Sequence, residues 1–270
     1  MDAKLLFLGT AGDSLTTGKQ TRASGGIVIT YDDMQILLNP GPGTLVRAKQ
    51  FGVNLRETTA VLVSKNSLLD ANDVNASIDA MTNGGLDSKG VLLCAKSVVD
   101  GNAKYHPSIS KFHTSCVERI IPLSIGDRVA LNTIEVYPTK TSEDATDSLG
   151  FQIQTPRFII SYIADSKFER RVADCHKNSD IIILNIPHLK TTDNQNNTNI
   201  DDAIKFMNHI KPRLAIITRL GIKLTETEVL TMVRNIQKET KIQTMAAKDG
   251  LIINPITYSA LVRQQKLFTE

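Results

Sequence analysis

The sequence predicts an α/β fold in which two mixed sheets face each other with helices outside. Three observations point there. Short apolar runs separated by turn residues crowd the first sixty positions, strand and helix patterns alternate in the second half, and two uninterrupted apolar runs in that half suit strands buried on both faces. A doubly wound parallel sheet is the competing architecture, and periodicity does not separate the two. The 270 residues suffice to bury a sizeable core and read as one domain over positions 1–270.

Residues 4–8 read as a strand, and 26–31 with 34–38 as a hairpin around Asp32-Asp33. Gly41-Pro42-Gly43 breaks the chain before a short helix, 44–50, closed by Gly52. The run 61–63 is a buried strand. A helix follows from about Asp70, with Val74, Ile78 and Met81 at helical spacing and Gly84-Gly85 as its stop. In the second half 158–163 is a strand, and Ser166 with Glu169 has the spacing of a capping box. The runs 181–184 and 214–217 are the two buried strands. Between them Ile200, Ala203, Ile204, Met207 and Ile210 mark an amphipathic helix capped by Thr198 or Asn199. Thr225 and Glu228 open another helix to about Lys238, and 251–253 is a last core strand. The polar stretch 191–197 reads as a surface loop, with a mobile lid as the functional alternative.

Composition excludes several classes. The chain is 41% hydrophobic and 22% charged, as an ordinary globular protein is, and its net charge of +3 comes with no long basic run of the kind a nucleic-acid coat carries. Cys94, Cys116 and Cys175 stand far apart without a C-x-x-C pair, so disulfides and a zinc knuckle are not expected and buried thiols are. The apolar run 5–8 is too short for a signal peptide, and nothing approaches the ~20 apolar residues that span a bilayer. A cytoplasmic location without membrane contact is the default expectation, with oligomerisation left open.

Several stretches, in order, resemble the metallo-β-lactamase superfamily, in particular the small hydrolases related to ribonuclease Z. They are Phe7-Leu8-Gly9-Thr10-Ala11-Gly12 with Arg22-Ala23-Ser24-Gly25-Gly26, then Ile36-Leu37-Leu38-Asn39-Pro40-Gly41-Pro42-Gly43, Val61-Leu62-Val63-Ser64, and Tyr162-Ile163-Ala164-Asp165. Ala247-Lys248-Asp249-Gly250-Leu251 is similar to the family's last strand entry. The resemblance implies an αββα sandwich and metal-assisted hydrolysis, in which imidazoles and carboxylates hold two metals that acidify a bound water.

The ligand residues that the resemblance implies are largely replaced. Aligned on Ser64, Lys65 stands at the first histidine, Ser67 at the second, Leu69 at the aspartate and Asp70 at the third histidine. Thr141 and Arg219 stand at two further histidines, and only Asp165 keeps its expected identity. A protonated lysine has no lone pair, arginine does not ligate at neutral pH, and leucine offers no donor. No metal or other cofactor is therefore expected, although Asp70, Asp73 and Asp165 leave a hard cation such as Mg²⁺ as an alternative.

Three functions follow as expectations. The first is a non-catalytic protein that binds an anionic small molecule, a nucleic acid or a protein partner, with Lys65 and Arg219 as the anion-binding pair. The second is a metal-dependent hydrolase, phosphodiesterase or ester hydrolase in type, with a carboxylate site. The third uses Lys65 as a base or nucleophile. A closed ion-pair network is the structural alternative for the same residues. Phosphate binding by Gly41-Pro42-Gly43 is weighed against a purely structural turn. The histidines His106, His113, His176, His188 and His209 are assigned surface or capping roles, with His188 placed near the pocket mouth.

Overall fold

The computed structural model describes residues 3–142, 147–188 and 198–261. The first half runs β1 (Ala3–Phe7), α1 (Ser14–Lys19), β2 (Ile27–Tyr31), β3 (Met34–Leu38), α2 (Thr44–Gln50) and β4 (Thr58–Val63). It continues with α3 (Leu68–Ala71), α4 (Val74–Thr82), β5 (Val91–Ala95), α5 (Lys96–Asp100), α6 (Lys111–Thr114) and β6 (Arg119–Leu123). The second half begins with β7 (Val129–Leu131), β8 (Ile134–Thr139), β9 (Gly150–Gln154), β10 (Ile159–Ile163), α7 (Arg170–Asp174) and β11 (Ile181–Asn185). It ends with α8 (Ile200–Ile210), β12 (Leu214–Thr218), α9 (Glu226–Thr240), β13 (Gln243–Ala246), β14 (Ile252–Asn254) and β15 (Ser259–Leu261).

These strands form two sheets, ordered β15-β14-β1-β2-β3-β4-β5-β6 and β13-β12-β11-β10-β9-β8-β7. Both are mixed. In each, one part is antiparallel and a run of four strands is parallel, β3 to β6 in the first sheet and β10 to β13 in the second. Two separate sheets rule out the doubly wound alternative.

Period-2 geometry explains the uninterrupted apolar runs. Ile181 and Ile183 face the shared core with Leu5, Phe7, Leu38, Leu62, Phe151 and Tyr162. Their neighbours Ile182 and Leu184 point the other way, onto Phe206, Met207, Met232 and Ile236 of the outer helices. In β4, Leu62 points into the shared core, while Val61 and Val63 pack on Val74, Ile78 and Met81. The central parallel strands β11 and β4 thus carry apolar residues at successive positions, because they are covered on both faces, whereas the edge strands β6 and β13 are partly exposed.

Some expectations need correction. The helix expected from Asp70 is two helices, α3 and α4, and Asn83 rather than a glycine takes the left-handed cap. Ser166 caps nothing: its hydroxyl accepts from Ser142 N at 2.8 Å, and Glu169 in extended conformation precedes α7. Asn199 caps α8 and forms a capping box with Asp202; Thr225 and Glu228 do the same for α9. Cys94 and Cys116 are buried as expected, but Cys175 is only half-buried. The loop at 191–197 lies outside the described residues. Among the described residues no helix is long and apolar enough to cross a membrane.

Candidate functional site

The site lies where loops leave the C-terminal ends of strands in both sheets. Asn39 follows β3, Lys65 to Asp70 follow β4, Thr141 follows β8, Asp165 follows β10, and Arg219 follows β12. Asn39 occupies the left-handed region at φ 53°, and its Oδ1 accepts from Ser64 N at 2.8 Å. That bond ties the β3 turn to the start of the β4 loop.

Arg219 crosses between the two sheets. Its Nη2 lies 2.7 Å from Asp70 Oδ1, and its Nη1 donates to the Leu69 carbonyl at 3.1 Å. Ser67 Oγ donates to the other Asp70 oxygen at 2.5 Å. The Arg219 and Asp70 side chains are only 11% and 10% exposed. Burial works against the Arg219 charge, but Asp70, then Tyr162 and Asp165, outweigh it and hold the guanidinium above its ordinary value.

Backbone geometry aims this side chain. Arg219 sits at φ 55°, a conformation unusual for a residue with a Cβ. The turn is clamped by Gly12 N donating to Leu220 O at 3.0 Å and Leu220 N donating to Thr10 O at 2.8 Å. A Cβ on Gly12 would stand 1.8 Å from the Arg219 carbonyl oxygen, so only glycine permits this approach.

Two residues not assigned a site role from the sequence complete the group. Asn185, at the end of β11, donates from Nδ2 to Tyr162 Oη at 2.8 Å and to Asp165 Oδ1 at 3.1 Å. Burial raises the Tyr162 phenol well above its usual range despite the neighbouring Arg219 charge, so it stays protonated. A polar residue ending the apolar run 181–184 was the available signal for Asn185. Asn39 Nδ2, Thr139 Oγ1, Ser142 Oγ and Asn185 Oδ1 are buried at these strand ends without a hydrogen-bond partner among the described residues.

Lys65 belongs to the same loop as Asp70, and its carbonyl accepts from Ser67 N at 3.0 Å, but among the described residues its side chain does not join the Asp70 group. Its backbone pairs with Ser148 in an isolated antiparallel bridge, and Ser148 Oγ donates to Thr141 Oγ1 at 3.2 Å. Lys65 is half-buried, and among the described residues no carboxylate lies within ion-pair range of its ammonium. Arg219, Asp70, Ser67 and Leu69 are thus joined directly, Asp165 through Asn185 and Tyr162, while Lys65 and Thr141 meet through Ser148.

Asp73 points elsewhere. Its Oδ2 accepts from Gly43 N and Thr44 N, both at 2.9 Å, and so caps α2. The Gly43 and Thr44 amides, at the start of α2, are thereby occupied, and Pro42 has none to offer, which supports a structural turn. His188 helps Asp13 stay ionised. Burial opposes that charge, but bonds from Thr16 and Ile222 and then the His188 charge hold the carboxyl below its usual range. His176 departs from the expected surface role. It is fully buried, bonds Ser161 Oγ through Nδ1 at 3.0 Å, and is pushed by burial down to about 3, so it is neutral.

Residues 34–218 match the family described as the β-lactamase superfamily domain. An uncharacterized protein of Methanocaldococcus jannaschii is 28% identical over 253 residues, covering 93% of this chain and 94% of its own. The metallo-β-lactamase fold protein YhfI of Bacillus subtilis superposes with a TM-score of 0.76 at 15% identity, over 93% of this chain and 98% of that one. A diphosphatase of the PhnP family gives 0.69 at 15% identity, over 93% and 97%. The short form of human tRNase Z gives 0.66 at 11% identity, over 93% and 99%.

Proposed function

This chain belongs to the β-lactamase superfamily, and from that membership we propose that it is a binding protein rather than a metallo-hydrolase, taking an anionic ligand at the face where the family holds its metals. The observation that carries this reading is the Arg219–Asp70 contact, 2.7 Å long and almost fully buried.

A dinuclear centre needs several imidazole and carboxylate donors aimed at one point. The residues present do not fit that requirement. Arg219 and Lys65 repel cations, Leu69 contributes only a carbonyl already bonded to Arg219, and both Asp70 oxygens are engaged. Among the described residues no group of three or more His, Cys, Asp or Glu side chains is placed to hold a metal ion. A guanidinium instead supplies positive charge between the two loops.

Arg219 is satisfied internally, whereas Lys65 has no carboxylate in ion-pair range among the described residues, which supports Lys65 as the cation that meets a ligand. A lone ammonium with rotatable donors suits a phosphate or carboxylate group, of a small molecule or a nucleic acid alike. The test is a thermal shift with inorganic phosphate on the wild type and on Lys65→Ala. A shift confined to the wild type supports the reading, and no shift in either overturns it.

A hydrolase reading has one supporting observation. Among the described residues Asp165 accepts a single bond, from Asn185, and so retains acceptor capacity for a hard cation. The solved neighbours include a diphosphatase and a tRNase Z, which keeps phosphodiester hydrolysis as the chemistry to assay with added Mg²⁺ or Mn²⁺.

A further inference from the structure

Outside that pocket, α6 and α4 bring a serine, a histidine and an aspartate together. Ser110 Oγ lies 2.6 Å from His113 Nδ1. His113 Nε2 lies 3.1 Å from Asp79 Oδ1. That second contact is in ion-pair range but off the straight line of a good hydrogen bond. Both of its atoms are buried and have no other partner among the described residues, so each is left to satisfy the other. The tautomer that would activate Ser110 carries its proton on Nε2, towards Asp79. Nδ1 presents a lone pair to the Ser110 hydroxyl, while Ser110 Oγ accepts from His113 N at 3.2 Å. Ser110 is exposed, and the Phe112 ring, 56% exposed, stands edge-on to the imidazole with centroids 5.1 Å apart.

We propose that Ser110, His113 and Asp79 form an acyl-transfer site for small activated esters with an apolar or aromatic portion that rests on Phe112. A serine hydroxyl hydrogen-bonded to a histidine that is oriented by a carboxylate is an activated nucleophile. Ser110 Oγ attacks the ester carbonyl as its proton passes to His113 Nδ1. The carbon–oxygen bond to the leaving alcohol breaks, and Nδ1 returns the proton to that oxygen. Water, deprotonated by the same nitrogen, then cleaves the acyl-serine to free acid and serine. Ser110 and His113 are the catalytic residues; Asp79 is a positioning residue.

Ser110 also caps α6, so Ser110→Ala alone would confound stability with chemistry. Ser110→Asn keeps a side-chain acceptor at the cap and removes the nucleophile. The experiment incubates the wild-type chain with a fluorophosphonate, which phosphonylates an activated serine with loss of fluoride, and maps the adduct by mass spectrometry. p-Nitrophenyl acetate hydrolysis is followed in parallel, with melting temperatures as the folding control. The wild type is expected to carry the adduct on Ser110, and Ser110→Asn to fold normally and carry none. His113→Gln should slow hydrolysis by about 10²-fold or more, and Asp79→Asn should lower kcat while leaving KM unchanged. An adduct elsewhere, or none on Ser110, overturns the proposal and leaves the cluster a cap between α4 and α6. Hydrolysis unchanged in Ser110→Asn does the same.

Discussion

Arg219 and Asp70, 149 positions apart in sequence, meet at 2.7 Å and join the loop after β12 to the loop after β4. Each loop leaves a different sheet, so this one contact ties the two halves of the sandwich at the end where the candidate site lies.

Breaking that tie should be costly. Removing one partner of a buried pair strands the other charge, typically costing about 3–5 kcal/mol. Arg219→Ala is therefore expected to lower the denaturant midpoint strongly, whereas the double variant Arg219→Met with Asp70→Leu should recover much of the loss. Equilibrium unfolding of the three proteins checks this, and additive losses in the double variant would refute it.

Lys65 should behave differently. Among the described residues it has no carboxylate partner to strand, so Lys65→Ala should change stability by no more than about 0.5 kcal/mol. Phosphate at about 100 times its Kd should stabilise the wild type by about 2.7 kcal/mol and the variant by almost nothing. Differential scanning fluorimetry across a phosphate series reads both numbers.

Metal removal should leave the fold untouched. With a guanidinium already seated on Asp70, dialysis against EDTA is expected to shift the melting temperature by less than the scatter between repeats. Elemental analysis of chelator-free protein should find well under one equivalent of zinc, iron or manganese. A stoichiometric metal lost together with stability would overturn the reading.

His176 predicts an acid sensitivity. Its folded value of about 3 lies below the unfolded value near 6.5, so between these the unfolded chain binds more protons. Stability is then full above about pH 6.5 and falls as the pH is lowered, by about 3 kcal/mol at pH 4. The loss levels off below the folded value. His176→Gln should flatten this part of the stability–pH curve, whatever it does to stability at pH 7.

Much of the architecture was legible in order along the chain. Alternation and turn chemistry located the β2–β3 hairpin, and uninterrupted apolar runs located β11 and β12. Capping residues marked α8 and α9. The antiparallel strands β7, β8 and β9 were less visible, because β7 has only three residues, none of them buried, and β8 and β9 interleave apolar residues with Glu135, Tyr137, Gln152 and Gln154 and carry no continuous apolar run.

What the sequence by itself determined was the α/β class, since local periodicity records which faces are buried, and the absence of imidazole donors at the positions after Ser64 and Thr218, since side-chain chemistry is written in residue identity. That the strands divide into two sheets was decided by the tertiary structure. Pairing is not written in the sequence either. Lys65 and Arg219 looked equivalent as cations, and only the tertiary structure seats one on Asp70 and leaves the other, among the described residues, without a carboxylate. Asp73 looked as available as Asp70 until its carboxylate was found on the amides of Gly43 and Thr44. The reason is physical. A charge's role depends on what lies within a few ångströms of it, and neighbours separated by 149 positions are brought together only when both sheets close on a shared core.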